Sequence, residues 1–393
     1  MAEGQRTSPA APGSPDAASP AELSDLRSRI DAVDDEILAL LNRRARLVQE
    51  VGARKRASGT SVYESSRERD IVARLGRANP GPFPEAGLGP VFREIISATR
   101  SLEERLQVAY LGPEGTFTHG AAREQFGALV ELQGLASIED VFAAVERGKL
   151  PLGIVPVENT TEGIVTQTYD AFVRFDVSLC GELLQRIHHH LLSRAGSLAE
   201  VRRVVSHPQP LAQCRGWLDR NLPGAERCEA ASTAAAARAA AQDPAVAAIA
   251  SAIAAEVYDL AVLETSIEDR SDNTTRFLVI ERRASASRAS APSGHDLTSA
   301  LFTIRKDEAG GLYRLLEPFA ARGVNLTSLQ LRPIVGKPWE YVFFLDLEGH
   351  REEERVRGAL AAAAELAHSY RILGSYPRSP RPAGPRTGAA GRG

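Results

Sequence analysis

Cysteine is scarce in this chain. Cys180, Cys214 and Cys228 are three among 393 residues, too few and odd in number for a disulfide framework, so a reducing compartment and plain buried thiols are expected. A surplus of charge is also missing: 47 lysines and arginines face 50 aspartates and glutamates, and no basic excess draws nucleic acid or an anionic membrane. The first twenty residues hold no continuous apolar run, so neither a signal peptide nor a membrane span is read and the cytoplasm is the expected location. No Gly-x-Gly-x-x-Gly follows an early strand, which argues against a dinucleotide fold and hydride transfer. Lysine occurs only as Lys55, Lys149, Lys306 and Lys337.

What is present is enough chain for two or three hydrophobic cores. Residues 1–21 and the Pro/Arg/Gly tail 377–393 carry too little apolar surface to offset ordering entropy and read as disordered. The Ala/Ser/Pro-rich stretch 283–296 reads as a linker. Between these lie three segments of different periodicity, 22–105, 106–282 and 297–376.

In the first, Leu23, Leu26, Ile30, Val33, Ile37, Leu40, Leu47 and Val51 recur at three- and four-residue steps, the signature of one long helix. Arg44 and Lys55 interrupt this stripe. Either they snorkel or pair with acids of a neighbouring helix, or a compact ammonium is required there, as the scarcity of lysine suggests. The runs Tyr63–Arg74 and Val91–Leu106, separated by a Pro/Gly-rich loop over residues 79–90, predict two further helices. One long and two shorter helices cannot enclose the stripe, so an intertwined homodimer or higher homo-oligomer is expected.

Leu26-Arg27, the run Asp34–Arg44, Val51-Gly52-x-x-Lys55 and Arg67-Glu68-Arg69-Asp70 resemble the all-helical chorismate mutases. The resemblance implies that Arg27 (from a partner subunit), Arg44 and Arg67 hold the carboxylates of chorismate, that Lys55 faces the ether oxygen, and that Glu68 contacts the substrate hydroxyl. A pericyclic rearrangement needs no cofactor, only a compact conformer and donors where charge develops. Where the best-known bacterial pattern has glutamine, this chain has Glu103, with Thr99 one turn earlier. Glu103 can donate only when protonated, so mutase activity is expected to fall as pH rises.

The middle segment alternates short apolar strands (residues 108–111, 153–157, 201–205 and 277–280) with Ala-rich helical stretches, an α/β pattern. Strands lead into small polar clusters at residues 112–116, 158–161, 206–209 and 232–233. Helix N-termini at strand ends are anion sites, although each cluster alone reads as ordinary N-capping. Gly-Pro-Glu-Gly-Thr-Phe (112–117), Val-Pro-Val-Glu-Asn (155–159), Ser-His-Pro-Gln (206–209), Gln213-Cys214 and Thr-Arg-Phe (275–277) resemble the prephenate dehydratase family. The resemblance implies two α/β subdomains like those of periplasmic-type binding proteins, with the site in the cleft between them. Thr275 would protonate or hydrogen-bond the departing hydroxyl of prephenate and Arg276 would hold a carboxylate. Thr116, Asn159, Ser206, Gln213, Thr233 and Phe277 would orient the substrate. What tunes the weakly acidic Thr275 is not visible in the sequence. The run His188-His189-His190 has no Cys/Asp/Glu spacing nearby to complete a site, so neither a metal nor a cofactor is expected.

The last segment reads βαββαβ, a ferredoxin-like order. Gly310-Gly311-Leu312, Asn325-Leu326-Thr327 and Pro338-Trp339-Glu340 resemble an ACT regulatory domain. That implies an amino-acid effector, phenylalanine, near Gly310, Leu312, Asn325, Leu326, Gln330 and Leu331. The family's Glu-Ser-Arg-Pro stands here as Gln330-Leu331-Arg332-Pro333, so feedback is either altered by the missing carboxylate or preserved by Gln330. Together the resemblances predict a bifunctional enzyme of phenylalanine biosynthesis, from chorismate through prephenate to phenylpyruvate.

Overall fold

The computed structural model describes residues 20–58, 65–102, 106–283, 291–304, 309–334 and 340–380. The chain forms two compact units, residues 1–51 and 52–393. The described part of the first belongs to helix α1 (Pro20–Ser58), which runs on past Val51. It starts two residues inside the stretch expected to be disordered, with Pro20 at its first position, where a missing amide costs nothing. The apolar seam from Leu23 to Val51 lies exposed along it.

In the second unit, α2 (Ser65–Ala78) and α3 (Glu85–Arg100) are the two shorter helices. Tyr63, where the first of them was expected to start, lies outside the described residues, as does Glu103. Helix α3 begins six residues earlier than Val91 and carries Pro90 inside it. A proline in the second turn forfeits one backbone bond, and burial of Leu88 and Ile96 on the same helix offsets that loss.

The α/β segment has two lobes. The first holds β1 (Gln107–Leu111), α4 (Phe117–Phe126), β2 (Glu131–Leu135), α5 (Ile138–Glu146), β3 (Leu152–Asn159), β4 (Gly163–Ile164), α6 (Thr166–Arg174) and β5 (Val177–Arg186). The second holds β6 (His190–Ser193), β7 (Arg203–Ser206), α7 (Pro208–Gln213), α8 (Arg215–Asn221), β8 (Glu226–Glu229), α9 (Thr233–Ala240), β9 (Val246–Ala250), α10 (Ala252–Tyr258) and β10 (Ala261–Glu264). The chain then returns to the first lobe as β11 (Thr274–Arg282). Strand order is β2-β1-β3-β11-β5, with β4 paired to β3, in one sheet and β10-β6-β9-β7-β8 in the other. The lobes are therefore joined by two crossings, residues 187–189 and 265–273.

Three of the four polar clusters open helices as expected: Thr116, His207 and Ser232 are the N-caps of α4, α7 and α9. The cluster at 158–161 does not. Asn159 Oδ1 accepts from the amides of Thr161 (2.9 Å) and Glu162 (3.1 Å), an Asx turn, and Gly163 at φ 83° turns the chain back onto β3.

The last segment is β12 (Asp296–Thr303), α11 (Gly311–Ala321), β13 (Leu326–Pro333), β14 (Tyr341–Glu348), α12 (Glu354–Leu366) and β15 (Ser369–Pro377), in sheet order β13-β14-β12-β15. Of the motif Pro338-Trp339-Glu340, only Glu340 lies within the described residues, and residues 284–290 of the linker lie outside them. The linker does not separate the cores. Phe172, Leu179 and Leu278 of the first lobe share one buried cluster with Leu301, Phe344, Leu373 and Tyr376, and the rings of Tyr169 and Phe344 meet edge to face at 4.8 Å. At Gly374 a Cβ would clash with the Leu179 carbonyl, so β15 can approach β5 this closely only with glycine there. Residues 377–380, assigned to the tail by composition, are part of the fold: Ser379 N donates to Glu182 Oε1 at 2.7 Å.

Candidate active site

Strands β3 and β11 pair so that Asn159 stands opposite Thr275. Both Oδ1 bonds of Asn159 go to the backbone of its own turn, which fixes its amide with Nδ2 pointing at Thr275. That Nδ2 donates to Thr275 Oγ1 at 2.8 Å and to Asn273 Oδ1 at 2.7 Å. Thr275 thus accepts from Asn159 and keeps its own proton to donate. An accepted hydrogen bond polarises the hydroxyl that receives it.

The network continues across the cleft. Asn273 Nδ2 donates to Gln213 Oε1 at 3.3 Å, and His189 Nε2 meets the same oxygen at 2.6 Å. An oxygen can only accept, so His189 carries its proton on Nε2. Burial holds the His189 pKa below the ordinary histidine value, against the hydrogen bond to Gln213 and the charge of Glu268, which favour the proton. Gln213 Nε2 in turn donates to Glu162 Oε1 at 3.3 Å. Burial raises the Glu162 carboxyl above its usual range, opposed by a hydrogen bond from Gln209 and the charge of His207. Asn159, Asn273 and Thr275 come from the first sheet and its return crossing, Gln213 from α7 of the second lobe, and His189 from the other crossing.

The histidine run serves the crossings. His188 Nδ1 lies 2.8 Å from Glu268 Oε1, and Glu268 Oε2 accepts from the His189 amide at 2.9 Å, tying one crossing to the other. Among the described residues no group of three or more His, Cys, Asp or Glu side chains could hold a metal.

Five expected substrate residues are engaged or buried in the protein itself. Arg276 points away from the cleft and binds protein carboxylates, Glu182 at 2.9 Å and Asp346 at 2.6 Å, because successive side chains of a strand face opposite ways. Phe277 is buried in the core with Tyr110, Phe126 and Leu183. Ser206 is buried and donates to the Ile249 carbonyl at 2.7 Å. Thr116 caps α4, its Oγ1 accepting from the His119 amide at 3.3 Å and donating to Pro113 O at 3.0 Å. Thr233 opens α9 and is buried. Sequence reading missed Glu162, His189 and Asn273. Asn273 lies in the crossing just before β11, two residues ahead of Thr275.

Arg27 is exposed and Arg44 half-buried on α1. Lys55 falls within α1, eleven residues after Arg44, and its side chain lies outside the described residues. Arg67 is exposed at the start of α2, and Glu68 beside it forms an ion pair with Arg100 of α3. Thr99 is buried, with its hydroxyl donating to the Ile95 carbonyl at 2.8 Å. Glu68 and Thr99, both expected to meet substrate, therefore have protein partners.

In the last segment Gly310 takes φ 75° as the N-cap of α11, Leu312 is partly exposed one residue into that helix, and Asn325 accepts from the Glu348 amide at 2.9 Å just before Leu326 opens β13. Gln330 is half-buried and Leu331 exposed. The next residue, Arg332, forks onto Asp170 of α6 at 2.9 and 3.0 Å.

Family models match three stretches: chorismate mutase type II over residues 26–104, prephenate dehydratase over 108–285 and the ACT domain over 299–365. A bifunctional chorismate mutase/prephenate dehydratase of Aquifex aeolicus is 46% identical over 362 residues, spanning 91% of this chain and 98% of the relative. The structure of a prephenate dehydratase in complex with L-Phe from Arthrobacter aurescens superimposes with a TM-score of 0.64 at 34% identity, covering 70% of this chain and 90% of that one. A structure described as "GqqA- a novel type of quorum quenching acylases" gives the same TM-score at 31% identity, over 70% of this chain and 98% of that one.

Proposed function

The chain belongs to the bifunctional chorismate mutase/prephenate dehydratase family, and from that premise we propose how its two activities are divided among its residues. The protein rearranges chorismate to prephenate and converts prephenate to phenylpyruvate with loss of CO2 and water. For the first step we assign Arg27, Arg44 and Arg67 to the substrate carboxylates and Lys55 to the ether oxygen, cations suited to a reaction in which charge develops on a breaking C–O bond. Arg27 acts from a second copy. The exposed seam of α1 supports this, because a homodimer buries it.

For the second step Thr275 donates its proton toward the departing hydroxyl. The observation that carries this is Asn159, whose locked amide donates to Thr275 Oγ1 and leaves the threonine proton unspent. Decarboxylation and loss of water then proceed together, drawn by aromatisation of the ring. Asn273 and Gln213 hold the lobes around the ligand, and Glu162, kept protonated more readily by burial, supplies a nearby acid. The acylase description belongs to the neighbour that carries it. Here the only hydrogen bond described for the Thr275 hydroxyl is the one it accepts, so among the described contacts no base takes its proton as nucleophilic attack requires.

We further infer that an amino acid regulates the enzyme through the ACT domain, with phenylalanine as effector. The neighbour solved with L-Phe supports this. Among the described residues no helix is long and apolar enough to cross a membrane, and we place the enzyme in the cytoplasm with its water-soluble substrates.

The test is to incubate the purified chain with chorismate, follow prephenate and phenylpyruvate, and repeat with phenylalanine added. Phenylpyruvate formed without any added cofactor is the expected result. Prephenate accumulating alone would overturn the dehydratase assignment, and indifference to phenylalanine would overturn the effector.

A further inference from the structure

Arg276 follows Thr275 directly in β11, yet its side chain belongs to the junction with the regulatory sheet. Nε donates to Glu182 Oε2 of β5 at 2.9 Å, Nη1 to Asp346 Oδ2 of β14 at 2.6 Å, and Nη2 to the Tyr376 hydroxyl of β15 at 3.1 Å. The partners are held in turn. Ser299 of β12 donates to Asp346 Oδ1 and meets the Tyr376 hydroxyl at 2.7 Å, while the Ser379 amide occupies Glu182 Oε1. The Arg276 side chain is only 12% exposed and Glu182 2%, so these bonds operate in a poorly screened interior where a charged group tolerates little displacement. The pairing of β11 with β3 shifts register between Arg276 and Phe277, and bulges of this kind re-aim neighbouring side chains.

We propose that Arg276 is a positioning residue for the dehydratase reaction: the regulatory sheet, through Asp346 and Tyr376, holds Arg276 and thereby sets the place of the Thr275 hydroxyl. Two of its three partners lie in the regulatory domain, so the position of β11 at Thr275 is tied to that domain. A movement of β14 relative to β11 strains the Arg276–Asp346 bond, and the Asn159–Thr275 bond lies one residue away. The inference rests on Thr275 as the working hydroxyl.

The experiment is steady-state dehydratase kinetics on the full chain for Asp346→Asn, Arg276→Lys, Tyr376→Phe and Thr275→Val, with mutase activity measured on the same preparations. Misplacement of a reacting group by about 1 Å costs on the order of 100-fold in rate, so Asp346→Asn and Arg276→Lys are each expected to lower kcat about 10-fold or more, with KM and mutase activity retained. Their double variant is expected to be no slower than the worse single variant, because both act through one bond. Tyr376→Phe, which keeps the packed ring, gives a smaller kcat loss and carries the test should Asp346→Asn fail to fold. Unchanged kinetics in Asp346→Asn overturn the inference. A raised KM with unchanged kcat in Arg276→Lys also overturns it, by making Arg276 a substrate ligand, and parallel loss of mutase activity reduces it to a fold-wide structural role. A fully active Thr275→Val withdraws Thr275 and the inference together, whereas an inactive Thr275→Val beside an unaffected Asp346→Asn withdraws the inference alone.

Discussion

Along α1 the apolar seam residues from Leu23 to Val51 remain exposed, whereas along β11 Phe277, Leu278, Val279 and Ile280 are all buried and Arg276 is met by three protein groups. One stripe is buried within its own chain; the other lies open along the described helix. The difference follows from geometry, since a strand inside a sheet acquires neighbours on both edges and both faces, while a long helix offers a stripe that only another long element can cover. Dehydratase chemistry should accordingly survive dilution, and mutase chemistry should not.

The largest effect that sharpens this contrast is at Thr275. Thr275→Val keeps the shape and removes the proton, and is expected to lower dehydratase kcat by about 10²–10⁴-fold while mutase turnover on chorismate stays at its original rate. The converse is Arg44→Ala. Loss of one cation from a charge-stabilising site costs about 10²–10³-fold, here in mutase kcat alone, with prephenate still consumed normally. Ile37→Asp places a charge on the seam. Light scattering should then report a smaller particle, and mutase specific activity should fall on dilution while dehydratase specific activity holds; a variant that remains associated and active at every concentration would break the comparison.

The smallest effect concerns Glu281, at the far end of β11. Burial pushes its carboxyl up to about 7 from an ordinary 4.5. The folded state therefore holds a proton that the unfolded state releases, and stability falls as pH rises between those values, then levels off, at about 1.4 kcal/mol for each tenfold difference in proton affinity. Urea midpoints at pH 5 and pH 8 should differ in the parent chain and converge in Glu281→Gln.

Periodicity made α1 and the βαββαβ order readable, because each rests on spacing within a short window. The helix through Pro90 was hidden by local turn chemistry that packing of Leu88 and Ile96 overrides. Thr275 and Asn159 were readable only as motif members; their pairing needed the register of β3 against β11. Arg276 was misplaced because its acids lie 94 and 70 residues away along the chain, and no local signal tells which side of a strand faces a cleft. Phe277 and Ser206 failed for the same reason. Each is polar or aromatic in a motif yet spent on the interior. Gln213 was legible by resemblance, but its bond to His189 depends on how the crossings fold back.

The residues just past β15 have a practical consequence. Arg69, one position beyond Glu68, donates to the carbonyls of Pro377 and Arg378 and, at 3.0 Å, to that of Glu182. The end of the regulatory module is thus stapled to a mutase helix and to the dehydratase sheet at once. Anyone trimming this gene for expression, or exchanging its terminal module for another, should keep the sequence through Pro380, because a cut that seems to remove only loose ends would release a fastening common to all three parts.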